Sequence, residues 1–177
     1  MARTADLEGQ SLTEIADYHN DVVDSLKFFL KPILHQDSTR FIGYTLEEFN
    51  DLLLDRIEET DLRSSLAILA AVEAALRIDY LIRSTKPKRR KDPLSKSFRA
   101  IYKEKRENAR FDDLLDLWGQ HYSELKRLIG ELRAALHFRH WLAHGRYWER
   151  PKHGRFDYVS VYTLADILLT NFPLYRN

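Results

Sequence analysis

The chain has 177 residues, 44% hydrophobic and 31% charged, with a formal net charge of +1; this supports one cored domain and excludes a disordered or collagen-like chain. It has no cysteine and no apolar run near the ~20 residues that cross a bilayer, which excludes disulfides, thiolate metal sites, a cysteine nucleophile and a transmembrane helix. The charge is unevenly spread: residues 1–82 carry a net −9, residues 83–110 a net +9 and residues 111–177 a net +1.

The opening residues, Met1 to Asp6, hold no signal-peptide core. With the missing cysteines, this makes a reducing cytoplasm the expected location. Ser11 and Glu14 have capping-box spacing. They open a helix expected to reach about Leu34, with Pro32 kinking or ending it. Gly43 marks a turn. Thr45 and Glu48 repeat the box and open a second helix, with a pause expected near Thr60-Asp61. From Leu62 to about Ile82 the apolar spacing is strongly helical, with Leu62, Leu66, Leu69, Leu76 and Tyr80 in one stripe. Glu73 falls in that stripe. An acid in an apolar seam needs a partner or water, so Glu73 is either a special group or a rim residue.

Next comes the connector Lys86-Pro87-Lys88-Arg89-Arg90-Lys91-Asp92-Pro93, whose prolines forbid a continuous helix. Its positive charge suits a polyanion, with Lys88, Arg89 and Arg90 as candidate RNA contacts, or else a solvated linker. Asp92-Pro93 reads as a cap and first helical residue, and a short helix is predicted over 94–107. Phe111 to Trp118 is another periodic piece. A long helix is predicted from about Ser123 to His144, with Gly145 as its stop. Phe156 to Tyr162 alternates and is rich in β-branched and aromatic residues, which predicts a short strand paired within the chain or with a second copy. Thr163 would then cap a last helix over 164–171.

The chemistry concentrates at the end of the long late helix. Leu125, Leu128, Leu132 and Ala135 form its apolar stripe, and the next members at that spacing are Arg139 and Leu142. Arginine cannot shed its charge, so Arg139 needs an acid, a phosphate or a wet cleft. Glu73 is the internal candidate, and a purely structural Arg139–Glu73 pair is the plainer reading. His137, His140 and His144 share one face. They could hold a metal, but one straight helix seldom gives three ligands to one ion and no HExxH pattern is present. Histidine suits acid–base work and arginine suits a phosphate, so Arg139 with His144 fits phosphodiester cleavage. The two stand five residues apart, about 140° around an ideal helix, and do not converge by spacing alone. Trp141 suits core or dimer packing better than base stacking.

Arg139-His140-Trp141-Leu142-Ala143-His144, followed by Gly145, resembles the Arg-x4-6-His motif of the HEPN superfamily. These are small helical bundles, many of them metal-independent endoribonucleases of toxin–antitoxin, abortive-infection and CRISPR-associated systems. The resemblance covers about residues 61–145. It implies an all-α fold, a HEPN-like antiparallel helical bundle, to which the residue pattern after Gly145 adds a short C-terminal β element and terminal helix outside the resemblance. The single domain would comprise a helical extension (1–60), a core (61–145, including the basic connector 83–110) and a final loop, strand and helix (146–177).

The resemblance also implies a mechanism that needs no cofactor. Arg139 would hold the scissile phosphate, and His144 would act as base or acid while the RNA 2′-hydroxyl attacks phosphorus. His140 would support them, and Glu73 would orient Arg139 or tune His144. Arg146 and Tyr147 would contact RNA. The partners implied are RNA, a second copy completing a composite site, and an antitoxin or defence-system protein, with no membrane. In toxins modified by a nucleotidyltransferase the motif extends to Arg-x4-His-x-Tyr. Here position 146 is arginine and the tyrosine is Tyr147, one residue later, so that partner is not expected. A non-catalytic helical module that binds RNA or protein is the alternative. His19, His35, His121 and His153 show no partner pattern and read as surface residues. No glycine-rich phosphate loop and no nucleophile elbow is present.

Overall fold

The computed structural model describes residues 10–35, 39–85, 91–146, 149 and 156–175. They form six α-helices: α1 (Leu12–Phe29), α2 (Leu46–Thr85), α3 (Pro93–Lys105), α4 (Phe111–His121), α5 (Lys126–Ala143) and α6 (Tyr158–Asn171). No strand occurs among the described residues, and no described helix is long and apolar enough to cross a membrane.

Side-chain caps set most helix starts. The Ser11 hydroxyl accepts from the Glu14 amide at 3.1 Å, and the Ser11 amide donates to the Glu14 carboxylate at 2.8 Å. Thr45 and Glu48 repeat this at 3.2 and 2.7 Å. Asp92 caps α3, accepting from the Ser95 amide at 2.9 Å, with Pro93 as first helical residue. α1 stops at Phe29, earlier than the sequence predicts, because proline disfavours helical backbone in the residue before it. Residues Pro32–His35 then form a 3-10 turn.

Two expectations are corrected. α2 is a single helix of 40 residues and does not pause at Thr60-Asp61. The Thr60 hydroxyl bonds back to the Arg56 carbonyl at 2.8 Å, so it is used inside the helix and not as a cap. The predicted strand over 156–162 is the start of α6. Asp157 and Ser160 form a capping box: the Ser160 amide donates to Asp157 at 2.8 Å, and the Asp157 amide donates to Ser160 at 2.9 Å. Val161, Leu164, Ala165 and Leu168 are buried at helical spacing, so packing overrides the β-propensity of the short run before them.

α2 is the central element, with α1, α3, α5 and α6 packed against it. Its stripe through Leu69, Val72, Leu76 and Tyr80 meets Phe98 of α3, Trp118 of α4, Leu132 and Phe138 of α5 and Leu168 of α6 in one core. A smaller cluster of Leu30, Phe41 and Phe49 seals the turn between α1 and α2. At the far end of α2, Arg83 is buried in an ionic network. Its Nε donates to both oxygens of Asp79 at 2.9 and 2.7 Å, Nη1 to Asp92 at 3.0 Å, and Nη2 to the Pro173 carbonyl at 2.7 Å. Burial pushes the Asp79 carboxyl above its ordinary range, while the Tyr175 amide and Arg83 pull it back.

Candidate functional site

α5 lies along α2, and the two helices bring Arg139 to Glu73. The predicted pair forms: Arg139 Nη1 lies 3.0 Å from Glu73 Oε2. The other carboxylate oxygen accepts from Arg77 Nε at 2.8 Å, so one acid sits between two arginines. Arg77 is braced by the Ala109 carbonyl at 3.3 Å and lies over the Phe111 ring. The Glu73 side chain is 16% exposed and that of Arg139 36%. Arg139 Nε is buried with no hydrogen-bond partner. Two guanidinium charges against one carboxylate leave this edge of the seam net positive, with part of Arg139 open to water.

The imidazoles lie beyond it. His137, His140 and His144 are exposed, on the shared face that their spacing requires. The rings of His140 and His144 are 4.1 Å apart between centroids and tilted by 54°. Among the described residues no hydrogen bond or ion pair joins Arg139 to His144, and none gathers three or more histidine or acidic side chains to hold a metal. His144 is the C-cap of α5, at φ −99° and ψ 23°, with its amide still donating to the His140 carbonyl at 3.1 Å. Trp141 is buried, stacked on Phe138 at 5.8 Å, in the packing role that its spacing favours.

The turn after His144 has a defined form. Gly145 takes φ +82° and Arg146 φ +57°. The Arg146 amide donates to the Trp141 carbonyl at 3.2 Å, the long-range bond of a Schellman motif, which explains why glycine follows the histidine. The Arg146 side chain then forks onto Glu59 of α2, Nη1 to Oε2 at 2.7 Å and Nη2 to Oε1 at 3.1 Å. Arg63 Nε also donates to Glu59, at 2.8 Å. The hydrogen bond from Arg146 holds the Glu59 carboxyl down to about 2, with Arg63 adding to the effect against a desolvation that opposes it. Arg146, expected to touch RNA, is thus placed on an internal acid. Tyr147, Lys88, Arg89 and Arg90 lie outside the described residues.

Sequence reading missed Glu59, Arg63 and Arg77. The signal was present: Glu59-x3-Arg63 and Glu73-x3-Arg77 are fourteen residues apart on one helix. Each acid holds the arginine four residues on and one more arginine, Arg139 of α5 for Glu73 and Arg146 of the turn after α5 for Glu59. His19 is also corrected. It is buried, with Nε2 2.7 Å from Asp61 and its ring stacked on Tyr158 at 3.7 Å, because α1 packs this face between α2 and α6. His121 is exposed, as expected, and meets Ser97 at 2.9 Å. The His35 side chain and His153 lie outside the described residues.

Comparison of the chain with protein-family models, curated proteins and solved structures finds no match.

Proposed function

We propose that the protein is a metal-independent endoribonuclease of HEPN type, with its helices forming a HEPN-like bundle, acting as a homodimer in a toxin–antitoxin or anti-phage defence role. The supporting observation is the end of α5, where a half-exposed arginine is followed within five residues by two exposed imidazoles in ring contact. In the reaction, His144 takes the proton of an RNA 2′-hydroxyl. The freed oxygen attacks the adjacent phosphorus, the bond to the 5′-oxygen breaks, and that oxygen takes up a proton. Arg139 stabilises the charge building on the phosphoryl oxygens, and Glu73, its other oxygen held by Arg77, orients the Arg139 guanidinium. His140 steadies the His144 ring. The products are a 2′,3′-cyclic phosphate and a 5′-hydroxyl, and DNA resists because it lacks the nucleophile.

In-line displacement puts base and acid on opposite sides of phosphorus. Two imidazoles in contact on one helix face serve only one side, and Arg139 stands about 140° around the helix from His144. A second copy supplies the missing side, which is why the reading includes a dimer. The alternative, a non-catalytic helical module that binds RNA or a protein, draws on the ion pair that already satisfies part of Arg139. The test is incubation with a mixed RNA pool in EDTA. Cleavage that survives chelation and disappears in His144→Ala supports the nuclease. A folded, dimeric wild type that cuts no RNA supports the alternative.

A further inference from the structure

We propose that Glu59 is a positioning residue for His144, acting through Arg146; this rests on the ribonuclease reading and extends it to a residue of α2. His144 is the C-cap of α5, and its own backbone angles, which place its side chain, are fixed jointly with the turn that follows. Two consecutive left-handed residues make that turn, Gly145 at φ +82° and Arg146 at φ +57°. Glycine adopts this backbone freely, but arginine does so at a cost and stays there only when its surroundings hold it. The hold is visible. The Arg146 amide is bonded to Trp141, and both terminal nitrogens of its guanidinium are bonded to the two oxygens of Glu59.

Glu59 is itself braced by Arg63 and belongs to the 40-residue central helix. The exposed turn carrying His144 is thereby tied to the central helix of the fold. Each side chain of the pair is 32% exposed, so the fork is partly shielded from water and salt. Glu59 keeps its charge even below the ordinary carboxylate range, since its carboxyl is held down to about 2.

A competing role for Arg146 is direct phosphate contact. With its Nη1/Nη2 edge committed to Glu59, only the Nε edge of its guanidinium is left for a phosphate. The two roles predict opposite effects of Glu59→Gln. Releasing a phosphate-binding arginine would tighten RNA binding. Releasing a clamp misplaces the base, and misplacement of a reacting group lowers turnover.

The experiment compares wild type, Glu59→Gln, Glu59→Asp and Arg146→Lys, each checked by circular dichroism to be fully folded at the assay temperature. Steady-state RNA cleavage is measured alongside the His140 and His144 ring signals by NMR and the Arg146 amide exchange rate, both without RNA. The clamp predicts that kcat falls about tenfold or more in Glu59→Gln with KM within about twofold, as for a mispositioned catalytic group. It also predicts shifted His144 ring signals, faster Arg146 amide exchange, partial retention in Glu59→Asp, and loss in Arg146→Lys, which keeps the charge without the fork. A lower KM with unchanged kcat in Glu59→Gln, or His144 signals and Arg146 exchange identical to wild type, overturns it. If the wild type cleaves no RNA, the ribonuclease reading falls, and the ring signals and exchange rate alone decide whether Glu59 orders His144.

Discussion

Glu73 divides its two oxygens between Arg77 and Arg139, and that division decides what Arg139 can do. A guanidinium with one nitrogen on an acid and part of its surface in water is oriented without being used up. Arg139→Lys keeps the charge but loses the planar donor array. Removing a donor aimed at developing charge costs on the order of 10²–10³ in kcat. We therefore expect a loss of that size in Arg139→Lys, read in single-turnover RNA cleavage, with the fold intact by circular dichroism.

Glu59 gives a pH signature. Its folded carboxyl is held down to about 2, below the ordinary value of 4.5, so the unfolded chain binds its proton first as pH falls. The stabilisation from this group is complete above the ordinary carboxylate range and is lost as pH drops from there toward about 2. Melting temperature against pH should fall less steeply across that window in Glu59→Gln than in wild type. Equal slopes in the two proteins contradict the assignment.

Capping chemistry was the most legible part of the helices. Ser11, Thr45 and Asp92 stand where their spacing puts them, and Gly145 ends α5 as predicted. Glu73 and Arg139 were legible for a related reason: each is a charge at an apolar position of a helical stripe, and two such misfits in facing stripes suit one another. The start of α6 was not legible. Phe156 to Tyr162 satisfies a strand pattern over seven residues, and only burial of Val161 with Leu164, Ala165 and Leu168 shows the helical period. His19 escaped notice because its partner Asp61 is 42 positions away. Two predictions follow from the helix ends. Asp157→Ala should destabilise the protein by about 1 kcal/mol in urea unfolding, the usual worth of such a cap. Gly145→Ala meets nothing within 4 Å of the added carbon, so its cost is that of left-handed backbone alone, about 1–2 kcal/mol.

The fold is drawn together at one end by Arg83, which ties α2 to Asp92 at the start of α3 and to the C-terminal segment at Pro173. Asp79 receives the Tyr175 amide at 2.8 Å, and the Tyr175 ring lies against the Arg83 guanidinium. Arg83→Met leaves a buried acid without its counter-charge and should cost about 3–5 kcal/mol. Asp79→Leu with Arg83→Met removes both charges and should cost less than the single change. The near-zero net charge conceals a separation along the chain, an acidic N-terminal half and a basic stretch that falls between the part of α2 carrying Glu73 and the helix α5 carrying Arg139. If that stretch steers RNA, neutralising Lys88, Arg89 and Arg90 weakens binding and flattens its salt dependence.

The most direct measurement is end-mapping of RNA cut by the purified protein in EDTA, with one substrate carrying a single 2′-deoxy position at the cleavage site. The proposed mechanism predicts 2′,3′-cyclic phosphate and 5′-hydroxyl ends, no cut at the deoxy position, and no cut by His144→Ala. Cleavage that needs a divalent metal, proceeds at the deoxy position or persists without His144 would contradict it.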